Sequence, residues 1–413
     1  MTSDPLTKDM GKLFWICCRR GCPRRSLDSS TIYNYLVKNG WKSTNRIKNA
    51  DLLIVYTCGG FQVSEDRSNT TINRLSKYKR KNAKLVVTGC LVKINPQSIH
   101  QKEADFIFPH EKLETLDSII GAKIPFKDVP DANLVANVQD LDNSQPMSLA
   151  LENFIGEFRF DRDLLKKVLG FTNRKIKNII KKPQGVFEND TFNIKIAHGC
   201  KDKCSYCAIK LATGELKSKS TTDILEEFRS GLSKGYTRFV LSAEDTGCYG
   251  IDIGTNIVAL LQQIFDEEAE FNLIINDFNT KWLIKYHDQL MPLFVKNKDK
   301  IESFRIPIQS GSDRILKLMR RPYKINNVKR VLYEMRKNLP DLDIWTHIMV
   351  GFPGETESDF EASLQFLKEF DFLKTAIYCY EDRPGTPAYF MADKVPTQEK
   401  KRRIFSLKKI VGR

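Results

Sequence analysis

HGCKDKCSYCAIK, residues 198–210, carries three of the ten cysteines of this chain, Cys200, Cys204 and Cys207. The segment follows an apolar run at residues 192–197, which predicts a β-strand that ends just before the cysteines. Thiolates so close in sequence can bind one metal centre at little cost in chain entropy, because the loop between them is short. The sequence therefore predicts a metal-binding loop at the end of a strand.

The number of cysteines indicates which metal centre this loop binds. Structural zinc usually has four protein ligands, often from two C-x-x-C pairs, and no second close pair follows here. Three thiolates would leave one iron of a [4Fe-4S] cluster open to a small molecule, whereas an electron-carrying cluster normally has four thiolates. The pattern favours the open cluster, with a three-thiolate zinc loop or unligated core cysteines as the alternatives.

The spacing C-x-x-x-C-x-x-C, with Tyr206 before the last cysteine, resembles the signature of the radical S-adenosylmethionine (radical SAM) enzymes. The resemblance implies that Cys200, Cys204 and Cys207 bind a catalytic [4Fe-4S] cluster whose open iron chelates the amino acid end of S-adenosylmethionine. One-electron reduction would then release a 5'-deoxyadenosyl radical, so a low-potential electron donor is an expected partner. Tyr206 is a candidate contact for the cofactor.

Length, composition and charge narrow the class of protein. The chain of 413 residues is long enough for two or three domains that each bury a core. Its ten cysteines come without a secretory signal, which indicates metal ligation in a reducing compartment rather than disulfides. The apolar run near the N-terminus is too short for a signal sequence or a membrane span, so we expect a cytoplasmic protein that is not bound to a membrane. A net charge of +15 favours a polyanionic partner such as RNA, although a merely soluble basic surface also fits.

Residues 1–130 show strands and helices in alternation. The apolar runs LFWICC, DLLIVYTC and KLVVTGC are separated by helical stretches, which predicts βαβ units and a mostly parallel sheet. Cys58 and Cys90 end two of these strands, and Cys22 follows the first strand after a short turn. Since the carboxyl ends of parallel strands lie at one edge, the three cysteines could form a second metal site there. Three buried structural cysteines would explain the pattern equally well.

The segments GCPRRSLDS, YTCGGFQVSEDRS and VVTGC are similar to the three cysteine motifs of the N-terminal domain of methylthiotransferases. These radical enzymes insert sulfur into a C–H bond and methylate it. The resemblance implies that Cys22, Cys58 and Cys90 bind an auxiliary [4Fe-4S] cluster whose open iron carries the sulfur or methylthio group. It thereby gives Cys58 a catalytic role and requires a sulfur donor. Cys17 and Cys18 lie inside the first strand and are interpreted as core thiols, with Cys18 as the alternative to Cys22.

Residues 131–190 lack a clear strand rhythm and are predicted to form a linker. The segment begins polar and then becomes strongly basic, with phenylalanines among the basic side chains. Such a mixture suits phosphate contacts and stacking on unpaired bases, and a solvated linker helix is an equal alternative. The basic residues are Lys166, Lys167, Arg174, Lys175, Lys177, Lys181 and Lys182, and the aromatic residues are Phe158, Phe160 and Phe171.

Residues 191–413 return to alternating strands and helices. About six such units fit the partial (β/α)6 barrel that the resemblance to radical SAM enzymes implies, with its chemistry at the carboxyl ends of the strands. The fold class is thus α/β, with an N-terminal βαβ parallel-sheet domain followed by this barrel. The loops LSAEDTGCYGIDIGTN, RIPIQSGSDRILKLMRR, HIMVGFPGETESDF and YEDRPGTPA resemble blocks of the methylthiotransferase family, so the match spans nearly the whole chain outside the linker.

These strand-end loops also hold the candidate contacts for S-adenosylmethionine. The glycines of VGFPGE would let the backbone approach a cofactor, and the segment is similar to the one that contacts adenine in the superfamily. The SAED and PIQS segments offer hydrogen-bonding groups for the ribose and amino acid parts, with turn or helix-cap roles as the alternative. Cys248 and Cys379 also fall near strand ends and are interpreted as buried thiols. The candidate cofactor residues are Glu244, Asp245, Gln309, Ser310, Gly351 and Gly354.

The block SAEDTGCYGIDIGTN most resembles the archaeal and eukaryotic methylthiotransferases that act on N6-threonylcarbamoyladenosine in tRNA. Two positions depart from that branch, since Thr213 stands where the family usually has an arginine and Ser220 where a proline is common. The sequence also stops after VPTQEKKRRIFSLKKIVGR, where tRNA-modifying members continue into a small RNA-binding β-barrel, the TRAM domain.

The resemblance implies a methylthiotransferase that modifies C2 of N6-threonylcarbamoyladenosine in tRNA. Two alternatives follow from the departures. The substrate could be a protein or peptide, which needs no RNA-binding barrel. The chain could also be a non-catalytic iron–sulfur or RNA-binding protein.

Overall fold

The computed structural model describes most of the two strand-rich regions and little of the segment between them. The described residues are 12–19, 22–99, 104–136, 138–141, 190–370 and 372–411. The basic and aromatic side chains predicted to contact RNA, at residues 158–182, lie outside this set, so their role stays a prediction. Within the described ranges, no helix is both long and apolar enough to span a membrane.

A parallel sheet forms the N-terminal half of the described chain. Its strands are β1 (Leu13–Cys18), β2 (Lys42–Ser43), β3 (Leu52–Thr57), β4 (Lys84–Gly89), β5 (Phe106–Ile107) and β6 (Gln139–Asp140). The α-helices described here are α1 (Pro23–Lys38), α2 (Gln62–Tyr78), α3 (Leu91–Ile94) and α4 (Thr115–Ile120). The strand order is β2-β1-β3-β4-β5, and β6, which comes from the predicted linker, pairs with the end of β1.

Both faces of this sheet are buried because side chains alternate along each strand. In β1, Phe14 and Ile16 pack into one hydrophobic cluster, whereas Trp15 and Cys17 pack into another on the opposite face. Every residue of β3 is buried. Cys17 and Cys18 are fully buried, in agreement with their interpretation as core thiols. A strand covered on both faces needs a continuous apolar run, which is why LFWICC predicted a strand.

A second parallel sheet forms the C-terminal half. Its strands are β7 (Thr191–Lys195), β10 (Arg238–Ser242), β11 (Asn272–Ile275), β12 (Ile301–Gln309), β13 (Asp343–Val350) and β14 (Lys374–Cys379), while β8 (Ala197–His198) and β9 (Lys217–Ser218) form a separate antiparallel pair. The α-helices are α5 (Ile209–Thr213), α6 (Thr221–Ser233), α7 (Ile257–Phe265), α8 (Thr280–Lys285), α9 (His287–Lys296), α10 (Asp313–Leu318), α11 (Ile325–Asn338), α12 (Glu357–Glu369) and α13 (Thr397–Val411). The sheet follows chain order from β7 to β14, as expected for successive βα units.

The predicted fold class is confirmed. Each of the two six-stranded sheets is parallel, and in the second the neighbouring strands are successive βα units that curve into a partial barrel. In the part of the chain that the structure describes, β7 and β14 are the two edges of this sheet, so the barrel is open. The open sheet lies against the N-terminal domain, since Tyr378 of β14 stacks on Phe61.

The carboxyl ends of the two sheets face each other. Arg24, in the first turn of α1, donates to a carboxylate oxygen of Asp277, which follows β11, at 2.7 Å. Glu65 of α2 forms an ion pair with Arg383, which follows β14, and both side chains are buried. Because each pair joins one domain to the other, these contacts hold the two sets of strand-end loops together.

Replacing Glu65 alone should destabilise the protein. The change Glu65→Ala leaves the buried guanidinium of Arg383 without its carboxylate, and breaking a buried ion pair in this way costs about 3–5 kcal/mol. We expect a correspondingly lower free energy of unfolding in urea denaturation. The double change Glu65→Leu with Arg383→Met is the control, because it removes both charges and should restore much of the loss. Equal stability of Glu65→Ala and the unchanged protein would contradict a role for this pair.

Candidate active site

The first group of cysteines lies on the loop between β8 and α5. Gly199 opens this loop with a φ of 76°, and a Cβ there would lie 2.0 Å from the carbonyl oxygen of Glu215, so the position requires glycine. Burial raises the pKa of Cys204, and the nearby thiols of Cys207 and Cys200 raise it further. The loop therefore brings the three predicted cluster ligands together.

A buried arginine stands beside this loop. Arg321, which follows α10, donates to the hydroxyl of Tyr206 at 2.8 Å and to Oδ1 of Asn279 at 2.7 Å. Its positive charge lowers the pKa of Cys204, in opposition to the effect of burial. Tyr206, a predicted cofactor contact, packs beside Phe352 in a small hydrophobic cluster. Sequence reasoning missed Arg321, whose only signal was its place in the LKLMRR segment.

The second group of cysteines lies at the carboxyl edge of the N-terminal sheet. Cys22 is the N-cap residue of α1, Cys58 follows β3, and Cys90 precedes α3. The pKa of Cys90 is raised to about 12, mainly by burial, with Cys58 and Cys22 adding to the shift. The three cysteines thus lie at the carboxyl ends of three neighbouring strands, β1, β3 and β4. The Sγ of Cys18 lies instead in the core, 4.0 Å from Oγ of Ser26.

One carboxylate connects the two groups of cysteines. Glu244, predicted as a cofactor contact, accepts a hydrogen bond from Nη2 of Arg25 at 3.0 Å and one from the backbone N–H of Gly199 at 2.9 Å. Burial raises the pKa of Glu244, but Arg24 and Arg25 outweigh that effect and hold it below its usual value. Glu244 thus ties the first cysteine loop to the helix that begins after Cys22.

Two stacked histidines lie in the same interface. The rings of His110 and His198 are 5.0 Å apart, one from each domain. Nδ1 of His110 lies 2.6 Å from the hydroxyl of Tyr56. Burial lowers the pKa of His110 to about 4 and also lowers that of His198, so both rings are neutral at pH 7. Sequence reasoning missed this pair, because no local pattern indicates that one histidine of each domain meets the other across the interface.

Asp245 is buried next to the first cysteine loop. Its carboxylate accepts hydrogen bonds from Nε1 of Trp282 at 2.8 Å and from the backbone N–H of Asn279 at 3.1 Å, and burial raises its pKa to about 6. A carboxylate oxygen of Asp245 and the Sγ atoms of Cys200 and Cys248 lie within 4.8 Å of one another. Cys248 is fully buried, as predicted. Its Sγ lies beside that of Cys200, which is a predicted ligand of the catalytic cluster.

The remaining cofactor candidates lie at the ends of β12 and β13. Gln309 has a φ of 78°, an unusual value for a residue with a side chain, and such strain is concentrated at functional sites. Among the described residues, Oε1 of Gln309 is buried without a hydrogen-bond partner. Ser310 is fully buried and accepts from the backbone N–H of Ser312 at 3.1 Å. Gly351 and Gly354 have φ values of 71° and 77°, which glycine adopts freely.

The two departures from the family pattern have local structural roles. Ser220 is the N-cap of α6, and its hydroxyl accepts from the backbone N–H of Asp223 at 3.1 Å. The hydroxyl of Thr213 donates to the carbonyl of Ile209 at 3.0 Å, within α5.

Cys379 is only half-buried, which is less than its interpretation as a buried thiol predicts.

Comparisons with known proteins agree with this architecture. The family model described as Radical SAM superfamily matches residues 194–367, and the one described as Uncharacterized protein family UPF0004 matches residues 16–109. A solved structure of the radical S-adenosylmethionine methyltransferase TsrM from Kitasatospora setae has a similar fold, with a TM-score of 0.59 at 13% identity over 91% of this chain and 74% of that one. This similarity concerns the fold alone.

Two curated relatives cover nearly the whole chain. The threonylcarbamoyladenosine tRNA methylthiotransferase MtaB of Thermotoga maritima is 30% identical over 94% of this chain and 79% of its own length. The ribosomal protein uS12 methylthiotransferase RimO of Protochlamydia amoebophila is 29% identical over 94% of this chain and 74% of its own length. Membership of the radical SAM superfamily implies a [4Fe-4S] cluster and S-adenosylmethionine as cofactors. The chain therefore belongs to the radical SAM methylthiotransferase family.

Proposed function

We propose that this methylthiotransferase modifies C2 of N6-threonylcarbamoyladenosine in tRNA and that it uses two [4Fe-4S] clusters. The observation that carries the proposal is the pair of three-cysteine groups at the ends of strands in the two domains, which Arg25, Glu244 and Gly199 join. The net charge of +15 and the likeness of SAEDTGCYGIDIGTN to the tRNA-modifying branch support RNA as the substrate. The relatives include tRNA-modifying and ribosomal-protein-modifying enzymes, so the test below separates the two substrates.

The chemistry of each cysteine group fits a cluster with one open iron. Each group supplies three thiols, and a [4Fe-4S] cluster with three thiolates keeps one iron for another ligand. A guanidinium accompanies each group, since Arg321 lowers the pKa of Cys204 and Arg25 lowers that of Cys90. Cys200, Cys204 and Cys207 would hold the catalytic cluster, which with S-adenosylmethionine would supply the radical chemistry that removes hydrogen from the substrate.

The protein's own side chains position these groups. Glu244 holds the backbone at Gly199 and, through Arg25, the helix that starts beside the second group. Gln309 presents an amide oxygen without a partner among the described residues at the end of β12, where the ribose of S-adenosylmethionine is expected. In this scheme a low-potential electron donor and a sulfur donor act as partners.

Replacing Cys204 should abolish radical formation. The change Cys204→Ala removes one of three ligands of the proposed catalytic cluster, so we expect no 5'-deoxyadenosine when reduced, reconstituted enzyme is incubated with S-adenosylmethionine. Liquid chromatography of the reaction measures the product. Cys379→Ala is the matched control, because it removes a half-buried thiol outside both groups and should retain product formation. Undiminished 5'-deoxyadenosine from Cys204→Ala would rule out the assignment.

Replacing Cys58 should separate the two half-reactions. Because Cys58 belongs to the second group, Cys58→Ala should still cleave S-adenosylmethionine but should transfer no methylthio group. The measurement is the ratio of methylthiolated product to 5'-deoxyadenosine, which we expect to fall to zero. Continued methylthio transfer by this variant would refute the role of the second group.

The substrate can be tested in the native organism. We expect deletion of the gene to remove 2-methylthio-N6-threonylcarbamoyladenosine from total tRNA, as measured by mass spectrometry of nucleosides. Restoring the gene should restore the signal, whereas restoring the Cys204→Ala form should not. An unchanged nucleoside profile, together with loss of a methylthio group from a ribosomal protein, would favour a protein substrate instead.

A further inference from the structure

The inner face of the barrel sheet carries side chains to which the proposed chemistry assigns no role. Burial alternates along β13, where Ile344 and Ile348 pack into the core under the helices and Trp345 and His347 point the other way and are half-buried. Arg305 of β12 lies beside Trp345 in the register of the two strands. An aromatic and cationic surface therefore lies inside the open barrel.

This surface is continuous from the barrel to the N-terminal domain. The guanidinium of Arg305 lies 4.2 Å from the ring centroid of Trp345. The rings of His347 and Tyr378 are 5.4 Å apart, and Tyr378 in turn stacks on Phe61 of the N-terminal domain, with centroids 5.6 Å apart and 19° between the planes. The surface thus extends to the interface where the two cysteine groups face each other.

The surface also lies close to the second cysteine group. The pKa of Tyr378 is raised first by burial and next by Asp277, and Cys22 contributes to the same shift. Geometry supports the same placement, because Phe61, which stacks on Tyr378, follows Cys58 of the second group by three residues. A molecule bound against Tyr378 would therefore sit beside the proposed sulfur-carrying site.

Two donors on this surface lack acceptors. Among the residues that the structure describes, Nε of Arg305 and Nε1 of Trp345 are buried without a hydrogen-bond partner. The acid with the largest influence on Arg305 is Asp277, whose carboxylate is already bonded to Arg24 at 2.7 Å. Burial lowers the pKa of Arg305 and Asp277 does not fully offset this effect. A desolvated guanidinium without its own anion is costly unless a ligand supplies one.

We propose that Arg305, Trp345, His347 and Tyr378 form a substrate subsite for a nucleobase that carries a carboxylate, with Arg305 bound to the carboxylate. This assignment rests on the proposed function and names the part of the substrate that the enzyme selects. A guanidinium binds a carboxylate through two parallel hydrogen bonds, and aromatic rings bind the face of a planar base.

N6-threonylcarbamoyladenosine offers both groups, because its threonyl carboxylate is attached through a urea to the purine. Unmodified adenosine offers only the ring, and an aspartate of a ribosomal protein offers only the carboxylate. A phosphate of the RNA backbone could also pair with Arg305. The subsite assignment predicts that the enzyme distinguishes the free carboxylate from its ester, which a phosphate contact would not do.

The test uses reconstituted holoenzyme and two anticodon stem-loop RNAs that differ in one group. One carries N6-threonylcarbamoyladenosine, and the other carries the same nucleoside with its threonyl carboxylate converted to an uncharged methyl ester. We expect the unchanged enzyme to prefer the free acid by about 10- to 100-fold in kcat/KM, the range for a hydrogen bond to a charged group. The change Arg305→Gln should reduce kcat/KM for the free acid by a similar factor and remove the preference.

Activity of Arg305→Gln on the methyl ester RNA shows that this variant is folded and carries its cofactors. Arg305→Lys, which keeps the charge but not the paired hydrogen bonds, should recover part of the preference. Arg330→Gln, which changes an exposed arginine on α11, is the control and should behave as the unchanged enzyme.

A preference for the free acid that survives Arg305→Gln would overturn the assignment. An equal loss of kcat/KM on both RNAs would also overturn it, because that result would indicate a phosphate contact or a structural role. If the unchanged enzyme modifies neither RNA, the proposed function itself fails, and the subsite fails with it.

Discussion

The buried ion pair between Arg25 and Glu244 is the contact on which the geometry of the candidate site depends. Its side chains are 4% and 5% exposed, and they come from different domains. Arg25 also pairs with Asp28 of its own helix, so Glu244 is the buried charge that depends on cations from the other domain, Arg25 at 3.0 Å and Arg24 at 3.5 Å. Because Glu244 also accepts from the backbone of Gly199, the pair determines how far the first cysteine loop lies from the second.

Parallel sheets explain why this arrangement is useful. The carboxyl ends of parallel strands all point to one edge, and that edge collects loops that can carry thiols and polar groups. Here two such edges face each other, and each supplies three cysteines. A substrate between them would contact both groups at once, which a reaction that couples hydrogen abstraction to sulfur transfer requires.

In both domains a buried arginine lies beside the group of three cysteines. Burial raises the pKa values of Cys204 and Cys90, and a buried arginine opposes that shift in each case. Arg321 serves the first group and Arg25 the second. Cysteine binds metal as the thiolate. A fixed cation beside each group stabilises that deprotonated form in a site that is otherwise shielded from water, and so favours metal binding.

The sequence by itself determined the fold class and the candidate cysteines. Alternating apolar runs and helical stretches are local patterns, and a strand buried on both faces must be apolar throughout, so LFWICC and DLLIVYTC sufficed to predict the first sheet. Cys200, Cys204 and Cys207 could be grouped because they share one loop. Cys22 and its partners could be grouped only because parallel strands end at the same edge.

The tertiary structure alone decided which distant side chains meet. Glu244 was predicted to contact the cofactor, and only domain packing shows that it pairs with Arg25. The contact of Cys200 with Cys248 and the place of Arg305 on the inner barrel face likewise depend on strand register and on the packing of several elements. Such contacts join residues far apart in the chain, and local sequence patterns carry no information about them.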